Sequence, residues 1–97
     1  MEVRLAASAL TDLADIQRYY AEQGVPDVGT RQTAELLTHI EHLETHPDIG
    51  RIVPEFNTPN LRELIHPPFR IVYWRGHERI NIVRVWRSER LLRMPEK

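Results

Sequence analysis

The hydrophobic period of the chain changes at residue 61, and this change constrains the fold more than any other feature. Before it, apolar residues recur at the three-to-four spacing of a helix that buries one face. Ala9, Leu13, Ile16 and Tyr20 form one such stripe, and Thr33, Leu36, Leu37, Ile40 and Leu43 form a second. After it the period is two. LRELI (61–65), FRIVYWR (69–75) and RINIVRVWR (79–87) are rich in β-branched and aromatic residues and read as strands. EVRLA (2–6) is a shorter alternating run at the start. A strand, two helices and three strands, each with one apolar face, define an α+β fold.

Local signals set the expected boundaries. Ser8 has the chemistry of an N-cap, and Asp12 and Asp15 lie near the helix start, where the dipole favours acids, so a helix is expected over 9–23. Gly24 suits the left-handed residue after it, and GVPDVG (24–29) reads as a turn. A second helix is expected over 28–45, stopped by Pro47. So short a link makes the pair an antiparallel helical hairpin. HPDIGRIVPEFNTPN (46–60) reads as an irregular connector, Pro67 and Pro68 as a break between strands, and Gly76–Glu78 as a tight hairpin. The last three strands form an antiparallel meander, which the first strand joins, with both helices on one face. Residues 88–97 are a short basic tail.

Ninety-seven residues are one domain's worth of chain, so 1–97 is expected to be a single unit. With no cysteine, disulfides, thiolate metal sites and a cysteine nucleophile are excluded. No apolar run reaches the ~18–20 residues of a membrane span. The start of the chain lacks the pattern of a signal peptide, which makes a cytoplasmic location the expectation.

The formal net charge of −1 conceals a division. Residues 1–48 carry three arginines against nine acids, a net of −6, whereas 49–97 carry ten cations against five acids, a net of +5. Twelve of the thirteen cations are arginine, the side chain that forks onto carboxylate or phosphate and stacks on aromatic rings. Between 61 and 93, eight arginines face three glutamates, Glu63, Glu78 and Glu89, so at least five lack an acidic partner nearby in sequence. This concentration points to an anionic partner, either nucleic acid or an acidic protein segment.

Enzyme motifs are weaker. His39, His42 and His46 share one side of the second helix, but no glutamate or cysteine completes a zinc pattern, and no metal is expected. Neither serine lies in a Gly-x-Ser-x-Gly turn, and the four glycines form no phosphate loop. The last strands are more informative. Phe69, Ile71 and Tyr73 are the expected core set, which turns Arg70 and Trp74 to the opposite face. There a guanidinium needs an anion or a stacking ring. On the final strand, strict alternation sets Ile80, Ile82, Arg84 and Trp86 against Asn81, Val83, Val85 and Arg87. Trp86 fits a core or a surface position equally.

The ordered segments PDIGR (47–51), LREL (61–64), FRIVYW (69–74) and IVRVWRSER (82–90) resemble the RelE/ParE superfamily of type II toxin–antitoxin toxins. The likeness runs along nearly the whole chain, and that family's fold has the same element order. RelE-like members cut messenger RNA on the ribosome with clustered basic residues and a tyrosine, histidine or glutamate near the C-terminus. ParE-like members lack that set and poison DNA gyrase. Arg70 matches the sheet arginine of both branches, and Arg87 and Arg90 match basic positions after the last strand. Here the tail offers Leu91, Leu92, Arg93 and Met94, with no tyrosine or histidine to move a proton.

The resemblance thus implies a ParE-like gyrase inhibitor with no catalytic residue and no cofactor. The alternatives are a RelE-like messenger-RNA endonuclease using Arg70, Arg87 and Arg90, a degenerate toxin, or an arginine-faced nucleic-acid-binding module. It also implies a ParD-like antitoxin, through which alone operator DNA is contacted, and a role in plasmid stabilisation. Residues expected to meet the antitoxin or the target are Arg70, Trp74, Arg84, Trp86, Arg87, Arg90 and Arg93.

Overall fold

The computed structural model describes residues 1–88. Strand β1 (Glu2–Leu5) leads into helices α1 (Ala7–Glu22) and α2 (Pro26–His42). Strands β2 (Arg51–Ile52), β3 (Leu61–His66), β4 (Phe69–Arg75) and β5 (Arg79–Arg87) follow. The α+β expectation holds, but the sheet is larger than a three-stranded antiparallel meander. It has five strands in the order β1-β5-β4-β3-β2. β1 lies parallel to β5, with Val3 opposite Ile80 and Leu5 opposite Ile82, while the other pairs are antiparallel. The sheet is therefore mixed.

Its two outer strands are short. β2 pairs only two residues, Arg51 with Glu63 and Ile52 with Arg62, inside the segment expected to be irregular. A run that short has no readable period.

The helices differ from expectation at their ends. α1 begins at Ala7 after Ala6, and Ser8 is not its cap. The Ser8 hydroxyl instead donates to the Val83 carbonyl at 2.6 Å. The far end is as expected. Gly24 has φ of +79°, its N–H reaches the Ala21 carbonyl, and the Val25 N–H reaches Tyr20. These paired bonds are a Schellman motif, which satisfies carbonyls the helix leaves over. Pro26 starts α2, where its missing N–H is harmless. Gly29 is not a turn residue but a point of close helix approach: a Cβ there would stand 3.1 Å from Tyr20 Cβ and 3.2 Å from Gln17 Cα.

Both helices cover one face of the sheet. Ala9, Leu13, Ile16, Leu36, Ile40 and Leu43 pack there against Phe69, Ile71, Tyr73, Ile80, Ile82 and Val85. Leu37, placed on the apolar stripe by its spacing, is exposed. A smaller cluster of Val53, Leu61, Val72 and Val83, flanked by Trp86, covers the opposite face.

A β-bulge separates the two face assignments of β5. Tyr73 pairs with Ile82 and Val72 with Arg84, which leaves Val83 without a partner in β4. The extra residue advances the alternation by one position. Val85, not Arg84, therefore joins Ile80 and Ile82 in the main core, and Trp86 goes with Val83 to the other face. Strict alternation across the last strand fails for this reason.

Candidate functional site

β1 pairs with β5 only as far as Ile82, so the second half of β5, paired with β4 on one edge, has no strand on the other. α1 takes that place. Ser8 binds the Val83 carbonyl, and one turn later Asp12 accepts the Val85 N–H at 2.9 Å. The same carboxylate receives Arg84 in a fork, Nε and Nη2 each at 2.8 Å. Asp12 is buried beside Ala9, Leu13 and Ile16. It was expected to serve the helix dipole. Its position within the buried stripe, three residues after Ala9, is the signal that it belongs to the interior.

Beyond this junction α1 and β5 diverge and enclose a cleft of about 530 Å³. Tyr19, Tyr20 and Ile16 line the helix side, Arg84, Trp86 and Arg87 the strand side, and Phe69 the floor. The cations are set against rings: the Arg84 guanidinium lies 4.2 Å from the Trp86 ring centre, and that of Arg87 lies 5.9 Å from both Tyr19 and Phe69. Such pairs hold a guanidinium by its face, and the Arg84 edge is taken by Asp12. Asp12 and Asp15 supply acid at the helix side. The cleft thus combines aromatic faces with two guanidinium groups, which suits a peptide carrying apolar anchors and acidic groups.

Three of the seven residues expected at a binding face, Arg84, Trp86 and Arg87, meet in this cleft. Arg70 and Trp74 do not line it. Trp74 is exposed on the sheet's other face. Arg70 is 6% exposed and lies among acids: Nη2 is 2.6 Å from Glu55 Oε2, and Nε is 3.2 Å from Glu63 Oε1. Glu63 is 1% exposed and also meets Arg51 at 2.7 Å. Arg90 and Arg93 lie outside the described residues. Tyr19, Tyr20 and Phe69 were not expected at the site, because their spacing identified them only as apolar or helical positions.

Several arginines that lack an acid nearby in sequence find one in space. Arg70, Arg75, Arg79 and Arg84 find Glu55, Asp48, Glu2 and Asp12, all outside residues 61–93. Folding brings the acidic half of the chain onto the basic half. A large part of the charge division is therefore satisfied within the molecule.

The histidines make no metal centre among the described residues. His42 and His46 stack at 4.1 Å, while His66 lies against His39 and meets Glu35 at 3.1 Å.

With the fold and the cleft defined, comparison with known proteins identifies the class. The sequence model of the family described as "ParE toxin of type II toxin-antitoxin system, parDE" matches residues 3–92. The chain belongs to the ParE toxin family. Its fold is also similar to a solved structure of a chromosomal ParDE TA system from P. aeruginosa. The TM-score is 0.78 at 22% identity, covering 92% of this chain and 97% of that one. No curated protein sequence matches it.

Proposed function

We propose that the chain inhibits DNA gyrase and is neutralised by a ParD-like antitoxin whose C-terminal segment occupies the cleft between α1 and β5. Membership of the ParE toxin family supports the gyrase target. The observation that carries the antitoxin contact is the convergence of Arg84, Trp86 and Arg87 with Tyr19, Tyr20 and Phe69. Acidic antitoxin residues meet the cationic strand side of the cleft, which sets association rate and specificity, and apolar residues fill the aromatic floor. Binding orders a segment that is disordered when free.

The RNase alternative draws less support. In-line attack by a 2′-hydroxyl needs an exposed cation and a proton acceptor. Arg70 is instead buried between two carboxylates.

A titration of antitoxin against Trp86→Ala and Arg87→Ala tests the cleft, with Leu10→Ala on the exposed side of α1 as reference. The two cleft variants are expected to weaken binding by about tenfold or more each. Affinity unchanged in both would remove the cleft from the contact.

A further inference from the structure

A second recess lies at the other end of the sheet, beside the β4–β5 turn. It has a volume of about 260 Å³ and is lined by Asp48, Asn60, Arg62, Arg75, Gly76 and His77. The run of β5 from Arg79 to Arg87 separates it from the cleft by about 25 Å. We propose that this recess binds a phosphate-class oxyanion, held by Arg62 with His77 and Asn60, which converge from β3, the turn and the connector beside the Arg75–Asp48 pair.

The argument rests on how donors and acceptors are distributed. Arg62 Nη1 donates to the Gly50 carbonyl at 3.0 Å, which fixes the guanidinium plane. Its Nε is removed from solvent and has no acceptor among the described residues. The one carboxylate lining the recess is paired within it: Asp48 Oδ1 accepts Arg75 Nε at 2.8 Å and Oδ2 accepts Nη2 at 3.4 Å. Arg75 Nη1 is spent on the Gly76 carbonyl. Among the described residues Arg62 has no carboxylate partner, and no hydrogen bond engages the His77 ring or the Asn60 amide. Positive charge therefore exceeds negative, with two guanidinium groups against one carboxylate, and the donors left over belong to Arg62, His77 and Asn60.

A flat carboxylate would take one guanidinium fork in one plane. A tetrahedral oxyanion presents oxygens in several directions, which matches donors arriving from three segments. Asp48 is the opposing element, since its negative charge faces any anion that enters. The hydrogen bond from Arg75 holds its carboxyl below the ordinary range, so it stays ionised at neutral pH. Removing that charge therefore strengthens binding, an effect that a purely structural role for Asp48 would not produce.

The test is an NMR titration of the full chain with inorganic phosphate at constant ionic strength, following the Gly76 amide, the Asn60 side-chain amide and the His77 ring. Chloride and acetate serve as controls, and a short single-stranded oligonucleotide forms a further arm. The expected result is saturable shifts confined to these residues with phosphate alone. Arg62→Gln is expected to weaken binding about tenfold, and Asp48→Asn to tighten it about threefold. His77→Ala, on an exposed turn, provides a variant that leaves folding intact. The oligonucleotide competing for the same residues would place the phosphate on a nucleic-acid backbone, and its failure to compete would place it on a small anion. Shifts that do not saturate, that acetate reproduces, or that persist unchanged in Arg62→Gln and Asp48→Asn would overturn the site.

Discussion

Tyr73 shows how one buried residue fixes the path of the connector. Its hydroxyl donates to the Pro47 carbonyl at 3.1 Å and accepts the Gly50 N–H at 2.9 Å. Gly50 leaves no room for a side chain, because a Cβ would stand 2.5 Å from that hydroxyl and 2.8 Å from the Glu63 carbonyl. Gly50→Ala is expected to cost about 1–3 kcal/mol by urea denaturation. Burial pushes the Tyr73 phenol above its ordinary value. The neutral form is favoured in the folded state, so its contribution is complete below pH ~10 and is lost as pH rises through the higher folded value. Tyr73→Phe should flatten that alkaline loss of stability while costing about 1–2 kcal/mol at neutral pH for the missing hydrogen bonds. Glu63 acts on the other face of the sheet. Its removal in Glu63→Ala leaves buried Arg70 with Glu55 alone, and a loss of about 3 kcal/mol is expected in the same assay.

At the scale of elements, the distinctive feature is a helix that completes a sheet. Ser8 and Asp12, one turn apart on α1, bind β5 where β1 has ended. Asp12→Ala should therefore speed hydrogen exchange at the Val85 amide and cost about 2 kcal/mol, whereas Asp15→Ala, an exposed residue at the cleft rim, should change neither. The periods of the sequence revealed α1, α2, β3, β4 and β5, although the bulge breaks the alternation within β5. Gly24 and the Pro67–Pro68 corner were legible from backbone chemistry. β2 was not, because two residues carry no pattern. The parallel placement of β1 and the bulge at Val83 depend on which strands meet in space. The bulge in turn decides which side Trp86 takes. Arg70's need for an anion could be read from its neighbours, but that Glu55 and Glu63 meet it inside the protein could not.

At the scale of the molecule, the basic and acidic halves largely satisfy one another, and arginines gather in two places. The cleft holds Arg84 and Arg87 against aromatic rings, and the recess holds Arg62. Because the proposed antitoxin contact is electrostatic at its rim, its association rate should fall several-fold between low and physiological salt, with a smaller change in dissociation. Stopped-flow mixing at the two ionic strengths measures this. The most direct test of the central claim adds the chain, freed of antitoxin, to a gyrase supercoiling reaction and in parallel to a translating ribosome mixture. The account predicts lost supercoiling or trapped cleaved DNA with messenger RNA intact, and recovery when antitoxin is added. Cut messenger RNA beside fully active gyrase would contradict it.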